Sequence, residues 1–171
     1  MPRNFAPLKT AIWSDEDFQA LSPMGQRMYM QVLSQKRLSL CGVVPYAPRN
    51  WARGCASLTP DDIEQHLLEL IDRGYVYIDR DTEELWVRTM IKHDPPRGAR
   101  SIAGMWNDWL EIDSPTIRER VIHSIPPEIW GNEHARPPES ATLLRNAPSG
   151  GASDGASGDR VVPSAAGGGP A

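Results

Sequence analysis

Residues 59–89 read TPDDIEQHLLELIDRGYVYIDRDTEELWVRT, a stretch that combines a strong helix start, a helix stop and a hairpin. Thr59 followed by Pro60 and two acids is typical of a helix N-terminus, and Asp62 stands at the capping-box position. Apolar residues then recur at helical spacing up to Gly74, which suits a helix C-cap. The two β-rich runs after Gly74 flank a polar turn and therefore predict a β-hairpin.

The residues before this stretch predict a further group of short elements. A short helix is predicted to start near Ser14, and a Ser-Pro pair at Ser22 opens a second helix with apolar residues at helical spacing. The run from Gly42 to Pro45 predicts a brief edge strand, and Pro48 begins a short helix that Gly54 ends. The order helix, helix, short strand, short helix, longer helix and hairpin predicts a winged helix-turn-helix domain over residues 11–92.

The rest of the chain is expected to add helices and a tail. Residues 93–131 predict a basic loop and a two-helix appendage anchored by Trp106 and Trp109, which packs either on the winged helix or on a second copy. Residues 132–171 contain no aromatic residue and are rich in Gly, Pro, Ser and Ala. Because such a segment buries little apolar surface, we expect a disordered tail. The predicted fold class is α+β, mainly helical.

Three runs of the chain carry a resemblance: IWSDEDFQALSPMGQRMYMQVLSQ, LCGVVPYAPRNWAR and LTPDDIEQHLLELIDRGYVYIDRDTEELWVRTMIKHD. Over about residues 11–94 the sequence resembles winged-helix proteins encoded by phages and prophages of actinobacteria, which are generally described as helix-turn-helix DNA-binding proteins. It is also similar to the N-terminal domains of phage replisome organisers and replication initiators. The resemblance implies binding of double-stranded DNA in replication initiation or transcription regulation, in the cytoplasm of a bacterial host.

Candidate DNA contacts are drawn from four parts of the sequence: the short helix, the longer helix, the hairpin turn and a basic stretch after the hairpin. They are Arg49, Asn50, Arg53, Gln65, His66, Arg73, Arg80, Arg88, Lys92, Arg97 and Arg100. In a winged helix the longer helix enters the major groove, and the short helix crosses the backbone. The segment from Arg88 to Arg100 contains four basic residues and one acidic residue, Asp94. A flexible basic arm of this kind suits contacts with the DNA backbone or the minor groove.

The charge of the chain supports a competing hypothesis. The net charge is −4, although a nucleic-acid-binding domain often carries a clear basic excess. Five acids lie on the polar surface of the longer helix: Asp61, Asp62, Glu64, Glu69 and Asp72. The alternative is therefore a winged helix that contacts a replisome or regulatory protein and makes no DNA contact. A homodimer is compatible with either hypothesis.

The sequence lacks the common motifs of several enzyme classes. It has no H-E-x-x-H, no phosphate-binding glycine loop and no G-x-S-x-G, and His93 and Asp94 are adjacent residues whose side chains would point apart. We therefore expect no enzyme activity, no catalytic or metal site and no cofactor. The chain has no apolar run long enough to span a membrane, and its first residues include no apolar run of signal-peptide length, so we expect a cytosolic protein. Cys41 and Cys55 are expected to be free core or loop thiols.

Overall fold

A computed structural model describes residues 5–6 and 8–147 of the chain. This part is a mainly helical α+β structure with a small antiparallel sheet. Its helices are α1 (Glu16–Gln19), α2 (Pro23–Leu33), α3 (Pro48–Ala52), α4 (Pro60–Asp72), α5 (Thr89–His93), α6 (Ala99–Leu110), α7 (Pro115–Ser124), α8 (Pro127–Trp130) and α9 (Glu139–Asn146), preceded by a 3-10 helix, Thr10–Ser14. Its strands are β1 (Val43–Pro45), β2 (Val76–Asp79) and β3 (Glu84–Val87), in the order β1-β3-β2.

Helix α4 begins and ends where the sequence predicted. The Thr59 hydroxyl accepts a hydrogen bond from the Asp62 N–H at 3.2 Å, and the Asp62 carboxylate accepts one from the Thr59 N–H at 2.8 Å. This reciprocal pair is a capping box with Asp in place of the usual Glu. After the helix, Gly74 adopts a φ of +68°, a left-handed conformation that glycine reaches without steric cost.

The central strand β3 is buried on both faces. Because alternate residues of a strand point to opposite sides, Leu85 and Val87 face one core while Trp86 faces another. The first core is formed with α2, α3 and α4, and the second with α6, α7 and α8. The appendage therefore packs on the sheet of its own chain, which resolves the question that the sequence left open.

The expectation of a disordered tail from Asn132 onward is wrong for residues 132–147. The Ala135 carbonyl accepts a hydrogen bond from the Trp106 indole N–H at 3.2 Å, and Ala141 on α9 is fully buried in the second core. This segment is ordered by contacts with the appendage, and its small apolar residues have little pattern of their own. The remaining part of that prediction, residues 148–171, lies outside the described residues.

The basic stretch after the hairpin also differs from its prediction as a flexible arm. Strand β3 ends at Val87, and the chain turns directly into α5, where Met90 and Ile91 are buried. The two apolar side chains, one in each core, hold the start of this stretch against the sheet. Only residues 94–98 separate α5 from α6, so the arm is short and anchored at both ends.

Two further observations concern the helices and the cysteines. Within residues 5–6 and 8–147, none of the helices has the length and apolar character that crossing a bilayer requires. Cys41 and Cys55 are both free thiols; Cys41 is buried and Cys55 is partly exposed.

Candidate nucleic-acid interface

The short helix α3 presents its polar residues to solvent. Trp51 is buried in the first core, where its ring packs edge to face on that of Tyr46, with 5.8 Å between the ring centroids. Arg49, Asn50 and Arg53 lie on the other side of the helix and are exposed. The burial of Trp51 therefore sets the orientation of α3 and leaves these three side chains free to meet a partner.

The exposed face of α4 is mixed in character. Asp61, Gln65, Leu68 and Asp72 all lie on it, since positions separated by three or four residues share one side of a helix. Leu68 is 44% exposed, so this face combines an apolar side chain with polar ones. Of the two other candidates on α4, His66 is half-buried and Arg73, at the C-cap, is exposed.

Three of the five acids on α4 are engaged within the chain. Asp62 closes the capping box, and the Glu69 carboxylate accepts hydrogen bonds from the hydroxyl and the N–H of Ser22 at 2.5 and 2.7 Å. The Ser22 hydrogen bonds hold the pKa of Glu69 below its ordinary value, and the Thr59 hydrogen bonds do the same for the pKa of Asp62. Both groups stay ionised, but their oxygens serve to hold helix ends.

The third engaged acid is Glu64, which forms an ion pair with Arg80 of the hairpin turn at 3.2 Å. The Arg80 guanidinium also lies over the ring of Tyr46, 5.5 Å from its centroid. Its side chain is nevertheless 60% exposed, so the guanidinium is held beside α4 and remains accessible.

Two acids close to Arg80 in sequence, Asp79 and Glu84, form hydrogen bonds with the start of the appendage. The Glu84 carboxylate accepts hydrogen bonds from the N–H groups of Asp113 and Ser114, at 3.1 and 2.7 Å, and so points toward the start of α7. Asp79 also bonds there, to the Ser114 hydroxyl. These two carboxylates hold the start of the appendage, and the other Asp79 oxygen accepts the Asp81 N–H of the hairpin turn at 3.0 Å, so both are engaged within the chain.

A second group of cations lies at the C-terminal end of α4. Arg73, Arg88 and Lys92 line one cleft together with Lys9, which the sequence analysis did not select. The Arg88 Nε–H donates to the Gly74 carbonyl at 2.5 Å, which fixes this arginine beside the end of the helix. Lys9 is held in this group by a hydrogen bond from its ammonium to the His93 carbonyl. Because the two residues are 84 positions apart in the sequence, no local sequence pattern identifies Lys9.

Arg97 and Arg100 lie apart from that group. Arg97 lines a different cleft together with Lys36 and Arg37 from the loop after α2, and Arg100 is in the first turn of α6. All four side chains are exposed. The structure therefore divides the predicted basic stretch: Arg88 and Lys92 adjoin α4, whereas Arg97 and Arg100 belong to the surface near α6.

No group of His, Cys, Asp or Glu residues in the described part of the chain is arranged to hold a metal ion. Comparison with protein-family models, with characterised proteins and with solved structures gives no match to this chain.

Proposed function

We propose that this chain is a winged helix-turn-helix protein that binds double-stranded DNA. The order α2, β1, α3, α4, β2, β3 and the sheet order β1-β3-β2 support this assignment, since a three-helix unit followed by a hairpin is the arrangement of winged-helix DNA-binding domains. The resemblance to phage and prophage proteins over residues 11–94 supports it from the sequence.

In the proposed complex α4 enters the major groove with its exposed face toward the base edges. Gln65 has the amide that pairs with adenine, and Leu68 offers an apolar contact for a thymine methyl group. Carboxylates such as those of Asp61 and Asp72 accept hydrogen bonds from the amino group of cytosine. The exposed face of α4 therefore has side chains for reading bases but none that would bind phosphate.

The cations that would bind phosphate lie around the helix. The thirteen residues of α4 span about 20 Å at 1.5 Å per residue, which exceeds the roughly 12 Å width of the major groove. Arg49 lies on α3 and Arg53 is its C-cap residue, and α3 packs against α4. Arg80 is paired with Glu64, whereas Arg73, Arg88 and Lys92 lie at the C-terminal end of α4. This distribution of cations around α4 is the observation that carries the proposal, because it suits the phosphates on both sides of a groove.

The proposed role is replication initiation or transcription regulation in a phage or prophage, within the cytoplasm of a bacterial host. The chain's net charge of −4 implies modest affinity for a single copy, so a homodimer or a replisome or regulatory protein would strengthen binding to a specific site.

The test is fluorescence anisotropy of a labelled random-sequence DNA duplex titrated with the full chain at 50 and 200 mM salt. We expect binding at 50 mM salt that weakens steeply at 200 mM, since each phosphate contact releases counterions. A folded chain, verified by circular dichroism, that fails to bind at 50 mM salt would overturn the proposal.

A specific observation favours a second candidate, a winged helix that docks on another protein. Leu68 is an exposed apolar residue on the same face of α4 as two acids with no hydrogen-bonding partner among the described side chains, Asp61 and Asp72. An apolar centre with an acidic rim suits a partner with a basic rim. Under this hypothesis Leu68→Ala should abolish binding of that partner. Replacing Arg49 and Arg53 with Ala should leave DNA binding unchanged.

A further inference from the structure

The cleft at the C-terminal end of α4 has a volume of about 370 Å³, within the range of small-molecule sites. It lies where the segment before α1, α2, the end of α4 and the start of α5 meet. One edge is closed by the hydrogen bond from the Lys9 ammonium to the His93 carbonyl. The cleft is therefore enclosed by elements that are distant in sequence.

Two sets of opposite charges line this cleft without pairing. Asp15 and Asp17 come from the N-terminal elements, and Arg73 and Arg88 come from the two ends of the β2–β3 hairpin. Lys9, Lys92 and Asp94 line the edge of the cleft beside α5. In the part of the chain that the structure describes, the only ion pair within 4.0 Å joins Arg80 to Glu64. The carboxylates and guanidiniums of the cleft are thus held apart, and each set would favour an oppositely charged group between them. The Asp15 carboxylate already accepts the Phe18 N–H at 2.8 Å, and Arg88 already donates to the Gly74 carbonyl, so Asp17 and Arg73 are the more available members of the two sets.

The floor of the cleft is apolar and aromatic. Phe18, Tyr29 and Met90 are buried side chains that line it, and the Tyr29 hydroxyl is already bonded to the Thr89 hydroxyl at 2.7 Å. Tyr75 packs edge to face on Tyr29, and no other described residue forms a hydrogen bond with its hydroxyl. The floor therefore suits an apolar ligand body and provides one free hydroxyl.

We propose that this cleft binds a small zwitterionic ligand with an apolar body, of the chemical class of a large apolar amino acid. The ligand's ammonium group faces Asp17 and Asp15, its carboxylate faces Arg73 and Arg88, and its side chain lies on Phe18 and the tyrosine pair. This inference goes beyond the proposed DNA binding and does not rest on it, although the ligand's carboxylate and the DNA phosphates would share Arg73 and Arg88.

The test is isothermal titration calorimetry of the full chain, without DNA, using three probes that share one apolar body. They are L-phenylalanine, 3-phenylpropanoate, which lacks the ammonium group, and 2-phenylethylammonium, which lacks the carboxylate. We expect L-phenylalanine to bind and each single-charge analogue to bind about ten-fold more weakly, as the loss of one charge-assisted hydrogen bond implies. Equal binding of all three probes, or no binding of L-phenylalanine up to about 10 mM, would overturn the proposal.

Two variants test which residues of the cleft bind the ammonium group and which bind the carboxylate of the ligand. Asp17→Asn should bring L-phenylalanine down to the affinity of 3-phenylpropanoate, and Arg73→Ala should bring it down to that of 2-phenylethylammonium. Asp61→Asn and Arg53→Ala change the same charges outside the cleft and should leave the affinity unchanged. If the control variants weakened binding as much as the cleft variants, the effect would reflect net charge and the assigned site would be wrong.

Discussion

The hydroxyl of Ser114 donates a hydrogen bond of 2.5 Å to the carboxylate of Asp79, which joins the start of α7 to the end of β2. Ser114 is fully buried, and its hydroxyl oxygen also accepts a hydrogen bond from the Ile117 N–H at 3.1 Å, as an N-cap residue does. One side chain thus begins a helix of the appendage and attaches that helix to the sheet.

Replacing Ser114 with Ala should lower the free energy of unfolding by about 1–3 kcal/mol, because the helix loses its cap and Asp79 loses a buried donor. Urea denaturation followed by circular dichroism measures the change. Ser140 on α9 is exposed, so Ser140→Ala serves as the control and should change the value by less than about 0.5 kcal/mol. Equal stability of the two variants would show that the Ser114 bonds contribute nothing.

Stability should fall on acidification. The pKa of Asp79, chiefly through Ser114, and that of Glu69, through Ser22, lie below the ordinary values of 3.8 and 4.5 in the folded state. A carboxyl with a depressed folded pKa stabilises the fold above its unfolded pKa, and this contribution is lost as the pH falls through the folded pKa. Urea midpoints should therefore decrease as the pH is lowered from about 5 to about 3.

Glu69→Gln provides the matching variant for the pH measurement. The amide cannot titrate, so the variant should be less stable than the original chain at neutral pH and should lose less stability on acidification. An unchanged loss between neutral and acidic pH would exclude Glu69 as a source of the effect.

The order of residues 132–147 can be tested on α9. Ala141 is fully buried, whereas Leu143 on the same helix is 65% exposed. Ala141→Asp should destabilise the chain by about 3 kcal/mol or more because it places a carboxylate in an apolar core, and Leu143→Asp should have an effect below about 0.5 kcal/mol. Thermal unfolding of both variants gives the comparison; a disordered segment would tolerate both changes equally.

The α3 arginines should contribute to the salt dependence of DNA binding. Replacing both Arg49 and Arg53 with Ala should reduce the slope of log affinity against log salt by about 2, since each phosphate contact contributes about 0.9. Anisotropy titrations at several salt concentrations measure the slope. The control removes the same charge at Lys36 and Arg37, which line a cleft that includes no residue of α3 or α4, and it should leave the slope unchanged.

Removing an acid from the exposed face of α4 should have the opposite effect. Asp61→Asn eliminates a carboxylate close to the proposed path of the DNA, and affinity for random-sequence duplex at 50 mM salt should rise by about two- to five-fold. The gain should shrink at 200 mM salt because exposed charges are screened. Unchanged DNA affinity would favour the protein-docking hypothesis for this face.

The sequence by itself determined the elements whose signals are local. Thr59, Pro60 and Asp62 cap α4 through contacts three residues apart, and the apolar stripe of the helix predicts which face is buried. The short helix with Arg49 and Arg53 was predicted in the same way, from Pro48 at its start and Gly54 after its end. Each of these features depends on residues within one or two helical turns, so a linear pattern is sufficient to predict it.

Only the tertiary structure decided where the appendage and its extension lie. Trp86 and the Asp79–Ser114 bond place the appendage on the second face of the sheet, and Ala135 and Ala141 order a segment that its composition predicts to be disordered. Lys9 reaches the cleft near Arg88 in the same way, across a separation of many residues. The stabilisation of these contacts comes from surfaces that meet only after the chain has folded, so neither periodicity nor composition records them.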